Sequence, residues 1–417
     1  MNPEWTTQTY FAALDWATEH HDVIVVDRVG TIVADFQFAH TAEGWSQFTQ
    51  QMQPYGCGPI SIETSCGMVV DQLLQRGFPV YPVNPKAAKR YRERKAPSGT
   101  KTDHHDVWSL ADALRTDGHA WPALHPQDEA TATLRLLCRD EIVLIEQRTA
   151  LVNQLQAALR DYYPLALDSF DDWTKPFTWA FVRAFPTAEA LRQAGQRRRE
   201  NFLHLHKLWR PETAPERLAA WARGQLLNAS PAAVKAKSLL ALSLATVLEA
   251  LQRQIAQYRR QITSSFEQHP DHDIFGGLPG SGTKLGPRLL AEIGSIREIF
   301  PDAARLLCFA GVSPVSFQSG KIRKSHIRWA CNRVLRATVH LWVNETRKTC
   351  AWAQAYYQAK REAGHSHASA LRCLGKRWLK LLWRLWQDRV CYQESKYLDS
   401  LRQHGSFVWN QLQSQSA

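Results

Sequence analysis

Three features of membrane and secreted proteins are missing from this sequence of 417 residues. No stretch reaches the roughly 18 uninterrupted apolar residues of a membrane span, and the first residues, MNPEWTTQTY, lack the basic-then-apolar order of a signal peptide. The eight cysteines stand singly, without any C-x-x-C pair, which argues against a zinc ribbon or a disulfide framework. We therefore expect a cytoplasmic protein with reduced cysteines and no membrane partner.

Acidic residues are scarce toward the C-terminal end. Between Lys321 and Val390 there are sixteen Lys and Arg against three acids, a local net charge of +13, while the whole chain carries +12. This surplus favours a polyanion as partner, although a solvated basic face is the plainer alternative. Some of the interleaved tryptophans are expected in the core, and others are expected to stack on bases or arginine planes. They are Trp329, Trp342, Trp352, Trp378, Trp383 and Trp386.

The pattern of strands and helices predicts an α/β plus α fold with three domains. From Thr9 to Asp117 strand-like and helix-like segments alternate, with hairpin signals such as Arg28-Val-Gly early and strand-helix alternation later. This mixture predicts a ribonuclease H-like mixed sheet, with helices around Lys86 and Asp103. We expect domains at residues 1–125, 126–269 and 270–417.

The middle of the chain has a different pattern. Strand signals vanish from Asp128 to His269, and two long amphipathic stretches predict the arms of an antiparallel helical hairpin or coiled coil. A Trp-rich insertion, roughly Pro164 to Ser230, separates the two stretches. After it, the glycines of LPGSGTKLGPRLLAEIGSI resemble one hairpin of a helix-hairpin-helix, where backbone amides and Lys284 would bind a phosphate.

Four acidic residues of the first domain form a candidate metal site. Asp15 and Glu63 each end an apolar strand-like run, and Asp103 and Asp106 are three residues apart on one face of a predicted helix. Carboxylates brought together in this way repel one another unless a cation lies between them, and Mg²⁺, or Mn²⁺ in its place, prefers such oxygen ligands. The alternative is structural, since such acids also serve as turn formers and helix caps.

Two blocks of sequence together carry a resemblance to a known family. One is the acid set ending in Lys101-Thr-Asp-His-His-Asp106, and the other is FAGVSPVSFQSGKIRKSHIRWACNRVLRATVH. Along almost its whole length the chain resembles the DEDD transposases of the one-ten type insertion sequences. These are also described as bridge-RNA-guided recombinases and are similar to pilin-gene inversion recombinases. Two departures are Gln318, where an acid is common, and Ala13, where Gly is common.

The resemblance implies a fold, a site and partners. It implies a RuvC-like N-terminal domain, a coiled-coil middle that mediates dimerisation, and a mainly helical C-terminal transposase domain with Ser319 as the nucleophile. Asp15, Glu63, Asp103 and Asp106 fall on the family's metal-binding tetrad. The implied partners are donor and target DNA, a noncoding bridge RNA, and further copies of the chain, as a dimer or as a tetramer on DNA. The implied location is the bacterial cytoplasm, on the nucleoid when DNA is bound.

Basic residues near these groups are candidate nucleic-acid contacts, with a solvated surface as the alternative. They are Lys284, Lys321, Arg323, Lys324, Arg328 and Arg333, together with Lys89, Arg90, Arg92 and Arg94 in a basic loop from Lys86 to Lys101. Two other functions stay open. One is a resolvase-like endonuclease that activates water with metal ions, in which Ser319 is a turn residue. The other is a nucleic-acid-binding scaffold without catalysis.

Overall fold

The computed structural model describes residues 3–95, 102–223, 229–320 and 322–416. The chain forms two compact units, Met1–Pro126 and Gln127–Ala417. The first is mixed α/β and the second is mostly helical, which confirms the predicted class. The division of the second unit into two domains stays a prediction. Among the described residues, none of the helices combines the length and the hydropathy that crossing a membrane requires.

Five strands form one mixed sheet in the first unit. They are β1 Tyr10–Trp16, β2 His20–Asp27, β3 Ile32–Ala39, β4 Ile60–Ile62 and β5 Val80–Pro82. The spatial order is β3-β2-β1-β4-β5, with antiparallel pairing among β1, β2 and β3 and parallel pairing of β4 with β1 and β5. The predicted sequence of early hairpins followed by parallel additions is therefore confirmed.

The turn between β2 and β3 has local chemistry that fixes it. Gly30 has φ +92°, a conformation that disfavours residues with a Cβ. The backbone amides of Val29 and Thr31 both donate to Oδ1 of Asp27 at 2.9 Å. These bonds satisfy the turn's amides and hold the two strands in antiparallel register.

Helices cover both faces of this sheet. They are α1 Pro3–Thr7, α2 Ala42–Met52, α3 Met68–Gln75, α4 Pro85–Lys95 and α5 Asp103–Asp117, with short 3₁₀ turns at Gln53–Tyr55 and Gly118–Ala120. Leu14 packs in a buried cluster with Phe48 of α2, whereas Ala13 packs in the opposite cluster with Leu110 of α5. Because successive side chains of a strand point to opposite faces, Asp15 shares the face that α5 covers.

Two long antiparallel helices organise the second unit. They are α6 Glu129–Tyr162 and α12 Pro231–Glu267. Nε of Arg259 lies 2.7 Å from Glu141, and Nζ of Lys237 lies 2.8 Å from Asp161, so residues late in one helix face residues early in the other. Side chains of Asp128 and Ser230 cap the two N-termini by accepting from backbone amides three residues on.

The Trp-rich insertion folds as short helices. They are α7 Pro164–Asp168, α8 Pro176–Ala184, α9 Ala188–Gln193, α10 Gln196–Leu205 and α11 Ala214–Arg223. Three of the described helices begin at or next to a proline, where the missing amide costs nothing. Trp173, Trp179 and Trp221 are buried in one core with Phe181. These tryptophans therefore stabilise the insertion itself.

The C-terminal part adds helices around a second core. The elements are α13 His272–Gly276, α14 Gly282–Ile293, α15 Ala303–Phe309, β6 Val315–Ser319, β7 Ile322–His326, α16 Arg333–Thr349, α17 Ala351–Glu362, α18 His367–Gln387, α19 Glu394–Gln403 and α20 Phe407–Ser416, with a 3₁₀ turn at Arg297–Ile299. Four of the six tryptophans that alternate with cations, Trp342, Trp352, Trp378 and Trp386, are fully buried. Each such ring contributes roughly 150–250 Å² of buried surface, so these four hold the core.

The turn between α13 and α14 depends on glycine. Gly280 has φ +70°, and a Cβ there would lie 2.9 Å from the backbone nitrogen of Thr346 in α16. No larger residue fits so close an approach. The turn has the Gly-rich character that the sequence indicated, while its assignment as a helix-hairpin-helix stays a prediction.

Candidate metal centre and serine hairpin

The two strand-end acids lie side by side in register. Leu14 of β1 pairs in parallel with Ile62 of β4, and the residues that follow them are Asp15 in β1 and Glu63 directly after β4. Neighbouring strands lie about 4.8 Å apart. The carboxyl ends of β1 and β4 are therefore adjacent, and each is marked by a half-buried acid.

Helix α5 brings the other two acids toward this face. The Ser61 hydroxyl, two residues before Glu63, donates to the carbonyl of Leu110 at 3.2 Å. The four-residue step from Leu110 back to Asp106 along the helix covers about 6 Å, and the two-residue step from Ser61 to Glu63 covers a similar length. The contact at Ser61 and Leu110 therefore allows Asp106 and Glu63 to lie at the same end. The helix begins at Asp103 because the Thr102 hydroxyl accepts from a first-turn amide, that of His105, at 3.2 Å.

The charges of these acids act on one another. Burial raises the pKa of Asp15 above its usual value, and the negative charges of Asp103, Asp22 and Asp106 raise it further, while a backbone hydrogen bond from Trp16 opposes the shift. Asp15 therefore resists ionisation because of its buried position and its acidic neighbours. Three of the four predicted acids are thus electrostatically coupled.

Asp106 has one oxygen paired and one oxygen unsatisfied. Oδ2 lies 2.7 Å from a guanidinium nitrogen of Arg92 in α4. Oδ1 is buried and accepts no hydrogen bond from any residue that the structure describes. An orphaned carboxylate oxygen beside other acids has the donor chemistry that a hard cation prefers.

The present spacing of these side chains is too open for direct metal coordination. Within the part of the chain that the structure describes, no three His, Cys, Asp or Glu side chains converge closely enough to hold a metal ion. The acid set therefore fits a cation in chemistry, and its side chains would have to close on one. Arg92 supplies positive charge to Asp106 in this arrangement.

A buried ion triad, not predicted from the sequence, fixes α4 against α5. Asp112 is almost fully buried, with Lys95 Nζ 2.5 Å and Arg115 guanidinium nitrogen 2.6 Å from its two oxygens. These hydrogen bonds hold the pKa of Asp112 below its usual value, although burial alone would raise it. The signal available in the sequence was an aspartate on the apolar face of a helix.

The basic segment after Pro85 confirms the helix predicted around Lys86 and corrects its description as a loop. It is helix α4 as far as Lys95, and residues 96–101, including Lys101, lie outside the described part. Of its four candidate cations, Arg92 pairs with Asp106, and Lys89 lies 3.7 Å from Glu93. Arg90 and Arg94 are exposed. Nucleic-acid contact by all four stays a prediction.

The candidate nucleophile lies at the tip of a hairpin that the sequence analysis missed. Ser319 ends β6, pairs with Ile322 of β7, and is exposed like the rest of both strands. Gly320 forms the turn with φ +54°. The available signal was two short strand-like runs, VSFQS and IRKSH, on either side of Gly320-Lys321. Lys321 lies outside the described residues.

The hairpin register divides the neighbouring cations between two faces. Lys324 pairs with Phe317, two residues before Ser319, so it lies on the same face as the serine. Arg323 pairs with Gln318 and lies on the opposite face. Lys324 is therefore better placed than Arg323 to meet a phosphate at Ser319.

The cations that follow the hairpin have different surroundings. Nε of Arg328 donates to the carbonyl of Ser313 at 3.3 Å, which ties the segment after β7 to the segment before β6. Arg333 is exposed at the first position of α16. The side chain of Asn332 caps that helix. Arg328 thus supports the base of the hairpin, and Arg333 remains open to solvent.

Lys284 belongs to a cluster of cations from three helices, α6, α12 and α14, which we call the junction cluster. Positive Arg259 lowers the pKa of Lys284, with burial and the charges of Arg288 and Arg148 adding to the effect and Glu141 opposing it. Glu141 accepts from Arg259 at 2.7 Å and from Arg288 at 2.8 Å. Sequence reasoning found only Lys284: Arg288 lies four residues further along α14, but Arg148 and Arg259 are far away along the chain.

The junction cluster has unused donor capacity. The Nε atoms of Arg148 and Arg288 are buried and have no hydrogen-bond partner among the described residues. Four cations thus surround Glu141, and two of them carry unsatisfied donors. Such an arrangement attracts an anion with several acceptor oxygens.

Comparisons with known proteins match both units. A family model described as "Transposase", of the DEDD IS110 type, matches residues 12–164, which include all four predicted acids. A second, described as "Transposase IS116/IS110/IS902 family", matches residues 272–358, which include Lys284 and Ser319.

Several relatives share much of their length with this chain. The "Mini-circle putative transposase for IS117" of Streptomyces coelicolor is 32% identical over 95% of this chain and 98% of its own length. The "Insertion element IS116 uncharacterized 44.8 kDa protein" of Streptomyces clavuligerus is 29% identical over 69% of this chain and 72% of its own. The "Insertion element IS900 uncharacterized 42 kDa protein" of Mycobacterium paratuberculosis is 29% identical, with 70% and 73% covered.

Proposed function

Because this chain belongs to the IS116/IS110/IS902 family of transposases, we propose that it cuts and rejoins DNA through a covalent bond between Ser319 and a DNA phosphate. Membership in a transposase family makes DNA its substrate. The observation that carries the proposal is the pairing of two features, each within its own matched region. They are a coupled acid set at the ends of β1, β4 and α5 and an exposed serine at the β6–β7 tip.

The acid set would hold a divalent cation, Mg²⁺ with Mn²⁺ as a substitute. The residues that would hold it are Asp15, Glu63, Asp103 and Asp106. When bound, the cation supplies Lewis acidity that lowers the pKa of a coordinated oxygen and neutralises charge at the phosphorus. The raised pKa of Asp15 and the orphaned Oδ1 of Asp106 support this role, because Asp15 lies among other negative charges and Oδ1 of Asp106 is a buried oxygen without a hydrogen-bond donor among the described residues.

Ser319 would take part in two transesterifications. In the first, its Oγ forms a bond to phosphorus, the bond from phosphorus to one sugar oxygen breaks, and that sugar oxygen takes up a proton while the serine loses one. In the second, the hydroxyl of another strand attacks the phosphoserine and regenerates the serine. The exposed hairpin tip leaves the hydroxyl open to a strand of DNA. The energy of the phosphodiester is kept through both steps, so rejoining needs no further cofactor.

Cations would bind the DNA and RNA backbones. The net charge of +13 between Lys321 and Val390 supports a polyanionic partner, and the junction cluster supplies donors at a second place in the same unit. The family resemblance supports a noncoding bridge RNA that pairs with donor and target DNA. The sequences of these nucleic acids are read by base pairing in this proposal, so the protein contributes charge and shape.

A dimer, or a tetramer on DNA, would form through the long helices. Leu136 and Val143 of α6 are exposed and seven residues apart, as are Leu240 and Val247 of α12. Apolar residues at a seven-residue spacing form one stripe along a helix, the arrangement that a coiled-coil partner covers. These stripes support assembly through the helical pair.

A water-using endonuclease is the second candidate function. In the described part of the chain, no hydrogen bond orients the Ser319 hydroxyl, whereas a serine nucleophile needs a group that assists loss of its proton. In this alternative the acid set activates water, and Ser319 only closes a turn. The two candidates differ in the fate of the DNA phosphate.

The test is a denaturing gel of labelled donor and target DNA incubated with the protein, the flanking noncoding RNA of its element and Mg²⁺. The proposal predicts a DNA–protein adduct that is lost in Ser319→Ala and in Asp103→Asn. Ser316→Ala is the matched control, because Ser316 lies on the same hairpin but on its other face. Cleavage without an adduct that persists in Ser319→Ala would establish the water-using endonuclease instead.

A further inference from the structure

A cavity of about 440 Å³ opens beside the hairpin that carries Ser319. Its walls come from the segment after β7 and from helices α16 and α18. Ile327, Val339 and Leu371 make apolar walls, and Arg336 and Arg372 lie among them. The described residues that line the cavity include cations and no carboxylate. An apolar cavity with cationic edges matches a ligand that is planar, apolar and joined to negative charge.

Trp329 is the distinctive wall residue. Its side chain is 68% exposed, although four neighbouring tryptophans in the sequence are fully buried in the core. The guanidinium of Arg336 lies 5.3 Å from the centre of the Trp329 ring and donates to the carbonyl of Arg328 at 3.3 Å. One part of the ring is thus supported by a fixed arginine while most of the indole stays open. Such a ring is a ready stacking platform.

The far wall of the cavity is positively biased. Burial lowers the pKa of His340, and the positive charges of His367 and Arg372 lower it further. A lowered pKa keeps His340 neutral at pH 7, so Arg336 and Arg372 are the lining groups that make the edge of the cavity favourable for an anion. A hydrophobic peptide or a second copy of the chain would gain from the apolar walls but would leave the charge of Arg372 uncompensated. A nucleotide satisfies both.

The distance to the hairpin tip suits a single strand. Trp329 is the seventh residue after Ile322, the strand partner of Ser319. An extended chain of that length spans at most about 25 Å. A strand whose phosphate meets Ser319 therefore needs only a few more nucleotides to reach the cavity. A base that stacks on Trp329 at that position must leave the stack of its neighbours in the strand.

We propose that this cavity binds one unstacked base of the DNA strand held at the Ser319 hairpin, with the base stacked on Trp329 and its phosphate beside Arg372. The inference rests on the proposed function for the presence of DNA at the hairpin. A base bound in the cavity would fix the position of the strand and so determine which phosphate reaches Ser319. The ligand class is a nucleobase of single-stranded DNA.

The experiment scans an abasic site along a short single-stranded DNA and measures binding by the full-length protein. The wild type is expected to lose roughly tenfold to a hundredfold in affinity when the abasic site falls at one position. Trp329→Ala is expected to bind the intact strand with an affinity lower by the same factor. An abasic site at the sensitive position is expected to cause no further loss of affinity in this variant. The two changes remove the same contact, so their effects do not add. Trp329→Phe is expected to restore most of the loss.

Control measurements distinguish a lost base contact from misfolding and from binding of another partner. Leu205→Ala removes a 77% exposed apolar side chain from another helix and is expected to bind like wild type. Circular dichroism of Trp329→Ala is expected to match wild type, because the ring is mostly exposed. An identical scan on RNA tests the choice of nucleic acid, because a position that is sensitive only in RNA would assign the cavity to the RNA partner.

Three results would overturn the proposal. One is a wild-type scan with no sensitive position, and another is a Trp329→Ala penalty that still adds to the abasic penalty. The third is a result that assigns the cavity to another partner, either sensitivity to the abasic site confined to RNA or a change in oligomer mass caused by Trp329→Ala. The adduct assay on Ser319→Ala is independent of this scan. A DNA–protein adduct together with a flat scan would reject the cavity and keep the proposed function.

Discussion

The acidic residues around Asp15 work against folding when no cation is present. A carboxyl whose pKa is raised in the folded state favours that state while it is protonated, and this contribution is lost as the pH rises from the unfolded pKa through the folded pKa. The pKa of Asp15 is raised by burial and by the charges of Asp103, Asp22 and Asp106. Ionised Asp15 therefore destabilises the native state at neutral pH, as expected for a residue placed for ligand binding.

Replacing this group with its neutral isostere should increase stability. Asp15→Asn is expected to raise the melting temperature by a few degrees at pH 7 in the absence of divalent cations. The gain should vanish below about pH 3, where the Asp15 carboxyl is protonated in both the folded and the unfolded protein. Differential scanning fluorimetry across pH measures this. Asp71→Asn, at an exposed acid of α3, is the control. An unchanged melting temperature at pH 7 would contradict the electrostatic coupling described for the acids.

Arg92 competes with a cation for Asp106. Its guanidinium lies 2.7 Å from Oδ2, so removing it leaves the acid set more negative and the carboxylate open. Arg92→Gln is expected to bind Mn²⁺ about threefold to tenfold more tightly than wild type, as measured by isothermal titration calorimetry. Lys89→Gln, in the same helix and paired with Glu93, should leave the affinity unchanged. Equal affinities for the two variants would argue that Asp106 holds no metal.

Helix α5 and the β6–β7 hairpin, which hold candidate site residues, differ in how well the sequence predicted them. Helix α5 was predictable because Thr102 and Asp103 form a helix start before an apolar face. The β6–β7 hairpin was missed although VSFQS alternates apolar and polar residues, because each run is only five residues long and all of the described side chains are exposed, so no buried face marks the strands.

The junction cluster makes a prediction about salt. Lys284 is held near Arg259, Arg288 and Arg148, so a phosphate bound there releases counterions. Lys284→Gln is expected to reduce the slope of log affinity against log salt by about 0.7–0.9, with little change in sequence preference.

The matched control for this measurement is Lys237→Gln. Lys237 lies on α12 in an ion pair with Asp161, so its charge is already compensated. Fluorescence anisotropy with a labelled strand over a series of salt concentrations gives both slopes. Equal slopes for Lys284→Gln and Lys237→Gln would exclude the junction cluster from the nucleic-acid interface.

Across the whole molecule, the sequence predicted the two kinds of architecture but not the contacts within them. Periodicity identified the mixed sheet and the two long helices, because each has a buried face of regular spacing. The triad of Asp112, Lys95 and Arg115 and the partners of Lys284 are products of tertiary packing. The pairings of Asp112 with Lys95 and of Lys284 with Arg259 and Arg148 join residues of different elements and leave little mark in a single sequence.

Assembly is the prediction that belongs to this scale. The double variant Leu240→Ser with Val247→Ser removes the exposed apolar stripe of α12 and is expected to shift the protein, with DNA and RNA bound, from dimer or tetramer toward monomer. Mass photometry measures the species. Leu205→Ser, at an exposed position of α10, should leave the masses unchanged. A wild-type complex that is already monomeric would refute assembly through these helices.

The identity of the residue that bonds to DNA tests the central claim most directly. The adduct would be trapped by denaturation, trimmed by nuclease and digested with trypsin, which releases residues 306–321 as one peptide with serines at 313, 316 and 319. Fragment masses are predicted to place the nucleotide on Ser319. A nucleotide on Ser313, on Ser316 or on any other residue, or no nucleotide on protein while DNA is cut, would contradict the serine mechanism.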